Sequence, residues 1–355
     1  MKKLFFIAVM ASVAFASCTK NEPASSINEN QAITFATPVV SNLTKAATFF
    51  GETVFPTSQT FKVFGYYHES NFAGTGTVYM NDVTVSYNKD LGTDADAGSG
   101  AWSVAGYYWP KNGKLTFDAY APSTISMTST VAGGLAITTE YEVKNTVADQ
   151  VDILFSDRAY DKTASTGNIA TYDGVDIQFN HALAVVQVKV AAANTAACNN
   201  VKITKISAKS VSNKGKFAQN YTNGKTGSTT PSWTVTSNSS NEYVFGSSET
   251  LLTSTTLDIY GDYHILLPQT FAAGGATLVI EYAIKHGTQW LAQKNSYTLY
   301  NGGQYYSDNS TTPVKIQGWE MGKRYTYNFK IGLDQVYFAP QVDEWVDVDS
   351  TIPTI

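Results

Sequence analysis

Beyond residue 30, nearly every segment of this chain alternates apolar and polar residues with period two. No long stretch carries the spacing of an amphipathic helix. Because successive side chains of an extended strand point to opposite faces, such a chain has to bury one face of many short strands. Val175, Ile177 and Phe179 alternate with Asp176, Gln178 and Asn180, and Val186, Val188 and Val190 alternate with Gln187 and Lys189. Leu115, Phe117 and Ala119 alternate with Thr116, Asp118 and Tyr120, and the turn signal Asn112-Gly113 stands just ahead of them. Phe61 to Tyr67 is apolar on both sides, as a buried strand would be. Leu257–Tyr260, His264–Leu267, Thr277–Ile284 and Tyr325–Ile331 continue the pattern. Many strands, turn-rich links and 13% aromatic residues predict an all-β chain of antiparallel β-sandwiches.

The first 30 residues follow a different logic. Lys2 and Lys3 precede an apolar run, Leu4 to Phe15, that is too short to span a bilayer as a mature helix. The run ends in Phe15-Ala16-Ser17-Cys18, small residues directly before a cysteine, which predicts a lipoprotein signal peptide over residues 1–17 with the thiol of Cys18 acylated. The alternative is an ordinary secretory signal with an incidental cysteine, and both readings export the chain. Residues 18–30 are polar and read as a tether. The other cysteine, Cys198, then has no intramolecular partner, so the mature fold contains no disulfide and depends on its core. A chain of this length has room for two domains, and the Ala-rich stretch Ala191–Ala197 marks a boundary between residues 31–192 and 193–355.

Charge and motifs narrow the function. The net charge of −5, more negative still once Lys2 and Lys3 are lost, favours neither nucleic acid nor an anionic membrane. His68, His181, His264 and His286 are scattered without metal-ligand spacing. Asp94-x-Asp96-x-Gly98 has the outline of a calcium loop, but Ala105 stands where a bidentate Glu is needed, so it reads as a solvated turn. No nucleophile elbow or phosphate-binding loop is present. Catalytic residues, metal sites and cofactors are therefore not expected. Tyr66, Tyr67, Tyr107, Tyr305 and Tyr306 could stack on sugars, though sheet packing is the commoner use of such side chains.

Three segments carry a resemblance: Tyr108-Trp109-Pro110 through Asn112-Gly113 to Leu115-Thr116-Phe117-Asp118-Ala119-Tyr120-Ala121-Pro122; Asp149-Gln150-Val151-Asp152-Ile153-Leu154-Phe155; and Val175-Asp176-Ile177-Gln178-Phe179-Asn180-His181-Ala182-Leu183. With the closing Gly322-Lys323-Arg324-Tyr325-Thr326-Tyr327 and Asp343-Glu344-Trp345, they resemble the fimbrillin family of Bacteroidales, subunits of type V pili. The resemblance implies two tandem transthyretin-like β-sandwich domains and a lipoprotein precursor held on the outer membrane by its lipid. It also implies a place in a cell-surface fimbrium, other pilus subunits as partners, and assembly by removal of an N-terminal strand and strand exchange. A host or bacterial surface ligand is a further candidate partner. The alternative is a tethered lipoprotein of the same fold that binds a glycan or host ligand without polymerising, as a tip or anchor.

Both ends suit strand exchange. Ala32–Val40 is strand-like, with Ile33 and Phe35 on one face, and a polar loop containing Lys45 and Ala46 follows it. In the family a trypsin-like protease cuts at such a loop, often at Arg. This chain has only Arg158 and Arg324, so Lys45 would be the scissile residue, unless it is a plain loop lysine. At the other end Val336, Phe338 and Val342 share a face that Glu344 interrupts and Val346 and Val348 resume, the pattern of a donor strand or of the last strand of the C-terminal domain. For the lipid, Cys18→Ala is expected to abolish metabolic fatty-acid labelling of the protein, which labelling and immunoprecipitation would read directly.

Overall fold

The computed structural model describes residues 31–40, 55–91, 100–164, 174–221, 231–236, 241–300 and 316–344. Among the described residues there is no α-helix. One 3-10 turn, Val147–Asp149, interrupts an otherwise all-β chain.

The N-terminal half supplies β1 (Ala32–Phe35), β2 (Val39–Val40), β3 (Thr60–His68), β4 (Thr77–Asn88), β5 (Ala101–Tyr108) and β6 (Lys114–Ala121). Three short strands, β7 (Thr128–Thr130), β8 (Gly134–Ala136) and β9 (Tyr141–Glu142), leave for another sheet. The chain then returns through β10 (Leu154–Ser156), β11 (Ala159–Lys162) and β12 (Gln178–His181). The resulting nine-stranded sheet has the order β1-β5-β4-β3-β6-β10-β12-β2, with β11 also paired to β6.

The C-terminal half runs through β13 (Ala184–Ala192), β14 (Val201–Lys209), β15 (Lys214–Ala218), β16 (Ser232–Thr236), β17 (Glu242–Gly246), β18 (Thr250–Leu251), β19 (Asp258–Ile259) and β20 (His264–Leu266). It continues through β21 (Gln269–Thr270), β22 (Thr277–His286), β23 (Gln289–Thr298), β24 (Gly318–Trp319), β25 (Lys323–Ile331) and β26 (Val336–Glu344). One sheet has the order β19-β13-β25-β26, with β20 also on β13. A second runs β17-β14-β22-β23, with β18 also on β14, and a third runs β16-β15-β8-β7, with β9 on β15.

The boundary expected at residue 192 does not coincide with the change of sheet. β13 pairs in parallel with β25 from Val185–Arg324 to Ala192–Ile331, and its valines share a core with Tyr325, Tyr327 and Phe329. By pairing, the change comes near Ala182, and β8 and β9 cross in the other direction to pair with β15. The physical reason is that alternating Val186, Val188 and Val190 bury against the aromatic face of β25, and the Ala-rich stretch begins as the end of that strand, at Ala191 and Ala192, before the chain turns.

β6 shows why the N-terminal sheet is so apolar. Leu115, Phe117, Ala119 and Ala121 face one core, together with Phe61, Val63 and Trp102. Its other face, Thr116, Asp118 and Tyr120, is equally buried, and Tyr120 joins Phe64 and Tyr66 in the second core. The polar residues of this alternation therefore do not face solvent.

Asp118 is accommodated there by Arg158. The guanidinium Nε donates to Asp118 Oδ1 at 2.7 Å and Nη2 donates to Oδ2 at 2.5 Å, with both side chains fully buried. Nη1 also donates to the Val131 carbonyl at 2.6 Å and Nη2 to the Thr130 carbonyl at 3.0 Å. Ser129 Oγ donates to Asp118 Oδ2 and receives the Tyr66 hydroxyl, while the Tyr221 ring lies 4.8 Å from the guanidinium carbon. Burial opposes the arginine's charge, but the hydrogen bonds and charge of Asp118 outweigh it and hold the pKa above its ordinary value. Burial also pushes the Tyr66 hydroxyl up to about 12. Removing one member of such a pair leaves an uncompensated buried charge. Arg158→Ala is accordingly expected to destabilise the fold by about 3–5 kcal/mol, with exposed Lys216→Ala near neutral, as read by urea denaturation.

Candidate functional site: the N-terminal seam

β1 and β2 stand at opposite ends of the nine-stranded sheet, yet they belong to one short segment. On one side β1 runs antiparallel to β5, placing Thr34 opposite Ser103 and Phe35 opposite Trp102. On the other side the segment follows the chain that leads into β12. The Val175 amide donates to Thr34 O at 2.9 Å, and the amides of Ala36 and Val39 donate to the carbonyls of Val175 and Ile177 at 3.0 Å. β2 then pairs in parallel with β12, Val39 opposite Gln178 and Val40 opposite Phe179. Further clasps come from Trp109 N to Gln31 O and Phe55 N to Pro38 O, both at 2.9 Å. The segment thus fills a seam whose two walls have no other strand between them among the described residues.

Its side chains complete the core as well. Ile33 is 0% and Phe35 1% exposed. The Phe35 ring meets Phe61 and Phe117 edge-on at 5.8 and 5.5 Å, and Phe55 packs on Phe61, Trp102 and Phe179. Gly174 sets the depth of the seam. It has φ +106°, and a Cβ there would lie 2.4 Å from the Phe35 carbonyl carbon and 2.6 Å from the Ala36 nitrogen. Neither Gly174 nor Phe55 was singled out from the sequence. A glycine ahead of an alternating strand is the only signal that could have flagged the former.

The other candidate residues are distributed as follows. Val336, Phe338 and Val342 lie on β26, which pairs with β25 from Val336–Ile331 to Glu344–Lys323 and forms the edge of its sheet. Those three side chains are half-buried against the C-terminal core, and Tyr337 on the opposite face is 52% exposed. Cys18, Lys45, Ala46, Val346, Val348, Trp345 and the Asp94–Gly98 loop lie outside the described residues. Of the tyrosines considered for sugar stacking, Tyr66 is buried beside Arg158, and Tyr305 and Tyr306 lie outside the described residues.

The histidines make structural contacts. His181 Nδ1 lies 2.9 Å from Asp152 Oδ2, joining the second and third resemblance segments; burial pushes the Asp152 carboxyl up, and the histidine beside it acts the other way. His264 Nε2 donates to Val244 O, so its Nδ1 accepts from the Gln150 amide, and burial pulls its pKa down. His68 Nε2 lies 2.9 Å from Thr116 Oγ1. Among the described residues no group of three or more His, Cys, Asp or Glu is placed to hold a metal ion, and no helix is long and apolar enough to cross a membrane.

These features define an all-β protein of packed antiparallel sheets, the first of which is completed by the chain's own N-terminal strand. A sequence profile described as fimbrillin-like matches residues 44–345, and the chain belongs to that family. Among solved structures, a fimbrial protein from Bacteroides vulgatus superposes with a TM-score of 0.60 at 16% identity, covering 89% of this chain and 100% of its own. Proposed cell adhesion proteins from Bacteroides uniformis and Bacteroides ovatus give TM-scores of 0.52 and 0.53 at 15% identity. Each match covers 90% of this chain, with 100% and 99% of those chains respectively. At such identities the likeness is one of fold. No curated protein matches the chain.

Truncating Phe35 would leave a cavity against Phe61 and Phe117 that rigid strands cannot close. In the unprocessed chain Phe35→Ala is expected to cost about 3–5 kcal/mol, with exposed Thr37→Ala within about 0.5 kcal/mol of neutral, both measured by denaturant unfolding.

Proposed function

We propose that this protein is a subunit of a cell-surface fimbrium, exported as an outer-membrane lipoprotein through Cys18. Its N-terminal strand is cut away after Lys45, and it is joined to its neighbours by a donor strand from the C-terminal segment. The observation that carries the reading is the seam. Residues 32–40 are hydrogen-bonded on both sides and fully bury Ile33 and Phe35, so their loss leaves two unpaired walls and two empty pockets that only another extended strand can fill. Burying the two side chains is worth about 3–6 kcal/mol before ordering costs, and main-chain pairing adds to it. The position of a cut is also constrained. Arg158 lies in the short link between β10 and β11 with its side chain fully buried, and Arg324 sits in β25 with ladders on both sides, so neither arginine is offered on an exposed loop.

A second reading, a tethered tip or anchor that binds a glycan or host ligand without polymerising, is favoured by one observation. β26 is paired along its whole length with β25 of its own chain, as it would be in a subunit that donates nothing. Electron microscopy and N-terminal sequencing of surface-extracted material decide between them. Fibres whose subunits begin at Ala46 are expected. Subunits that begin at Cys18 and form no fibres would establish the tethered reading instead.

A further inference from the structure

The seam reads a short side-chain pattern, and its form ending in alanine (a β-branched residue, any residue, Phe, Ala) occurs twice in the chain outside the signal peptide. In β1 it is Ile33-Thr34-Phe35-Ala36: a β-branched residue and a phenylalanine two apart facing the core, then a small residue where the main chain passes Gly174. β26 contains Val336-Tyr337-Phe338-Ala339. The match ends there, since Pro340 follows Ala339 directly whereas Pro38 comes one residue later after Ala36.

Resting on the strand-exchange reading, we infer that β26 of a second copy of this chain enters the seam in one register. Val336 takes the pocket of Ile33, Phe338 takes that of Phe35, and Gly174 is the specificity-determining residue that admits the main chain at Phe338-Ala339. Three observations support this register. At home β26 is an edge strand, paired among the described residues only with β25, while a strand in the seam is hydrogen-bonded on both sides. At home Val336 and Phe338 are half-buried, while the residues they would replace are 0% and 1% exposed. Tyr337, 52% exposed at home, would take the place of Thr34, which is only half-buried and lies opposite Ser103, so the large ring is not forced into the core. Transfer also has a cost. Phe338 leaves ring contacts of 5.0–5.9 Å with Tyr297, Tyr327 and Phe329, so the fully enclosed Phe35 pocket has to exceed a partial aromatic cluster. A register shifted by one residue would put Tyr337 in the core, and one shifted by two would put Pro340 in the phenylalanine pocket.

Intermolecular disulfides test the register in the full-length chain assembled into surface fimbriae, with Cys198→Ser to remove the native thiol. Assembly takes place under reducing conditions and oxidation follows. Ser103→Cys with Tyr337→Cys is expected to give a reducible ladder of multimers, and Ser103→Cys with Gln335→Cys or with Ala339→Cys is expected to give none. A ladder from either of the latter pairs instead overturns the register and leaves strand exchange standing. Fibres that give no ladder with any of the three pairs overturn donation of Val336–Ala339 into the seam, and subunits of those fibres that begin at Ala46 leave exchange by another segment standing. Conservative variants give an independent measure. Phe338→Leu is expected to lower the temperature at which fibres dissociate, and Phe35→Leu to leave it unchanged because that residue is discarded; equal effects of the two would overturn the assignment.

Discussion

The constraint on which this structure depends is that both ends of its largest sheet must find a partner. In the nine-stranded sheet the requirement is met by one segment, residues 32–40, which pairs with β5 at one end and with β12 at the other. The segment is short and makes few main-chain bonds on either side, but both sides are engaged at once and its two large side chains are enclosed completely. No other described element threads between the same walls, so the closure of this sheet rests on that one strand. Gly174 adds a steric condition, since the incoming backbone comes closer there than any residue with a Cβ would allow.

Behind the seam, the sheet is fixed by a buried polar knot. β6 is covered on both faces, so Asp118 cannot reach water and is instead held by Arg158, Ser129 and, through Ser129, Tyr66. Arg158 in turn reaches the carbonyls of Thr130 and Val131, tying the N-terminal sheet to the end of β7 in the third sheet and to the turn that follows it. A buried ion pair of this kind is poor evidence of net stabilisation over an apolar alternative, but it specifies how the layers are set against one another, since Asp118, Arg158, Ser129, Tyr66 and the carbonyls of Thr130 and Val131 are satisfied together. The His181–Asp152 contact has the same character at the point where the chain passes from β12 into β13.

The three segments that carry the family resemblance are explained by these contacts. Trp109 packs against Phe117 at the base of the β5–β6 hairpin, and its amide donates to Gln31 just before β1. Gln150 connects the 3-10 turn to His264 and to the Ile265 amide. Asp152 and His181 join segments that are distant in the chain. In the closing segment Trp319 donates to the Tyr327 hydroxyl, and the Tyr325 hydroxyl accepts the Glu320 amide. The motif residues therefore hold strands and sheets together, within the nine-stranded sheet at Trp109 and between Asp152 and His181, and across to another sheet at Gln150, and none of them assembles a reactive centre among the described residues.

Period-two alternation was enough, by itself, to determine that the chain is all-β, because side-chain direction in an extended strand follows residue by residue from local geometry. The motif residues determined the family, and the alternation of Ile33 with Phe35 and of Val336 with Phe338 marked two apolar strand faces at the ends of the chain. Only the tertiary structure decided which faces are covered twice, which is why Thr116 and Asp118 turned out to be buried and why β13 joined β25 across the expected boundary. It also decided that a strand near the N-terminus closes both ends of one sheet and that a glycine far from it in sequence sets the depth of the seam. Strand pairing and close backbone approach are long-range relations, and nothing in the local sequence around either partner encodes the identity of the other.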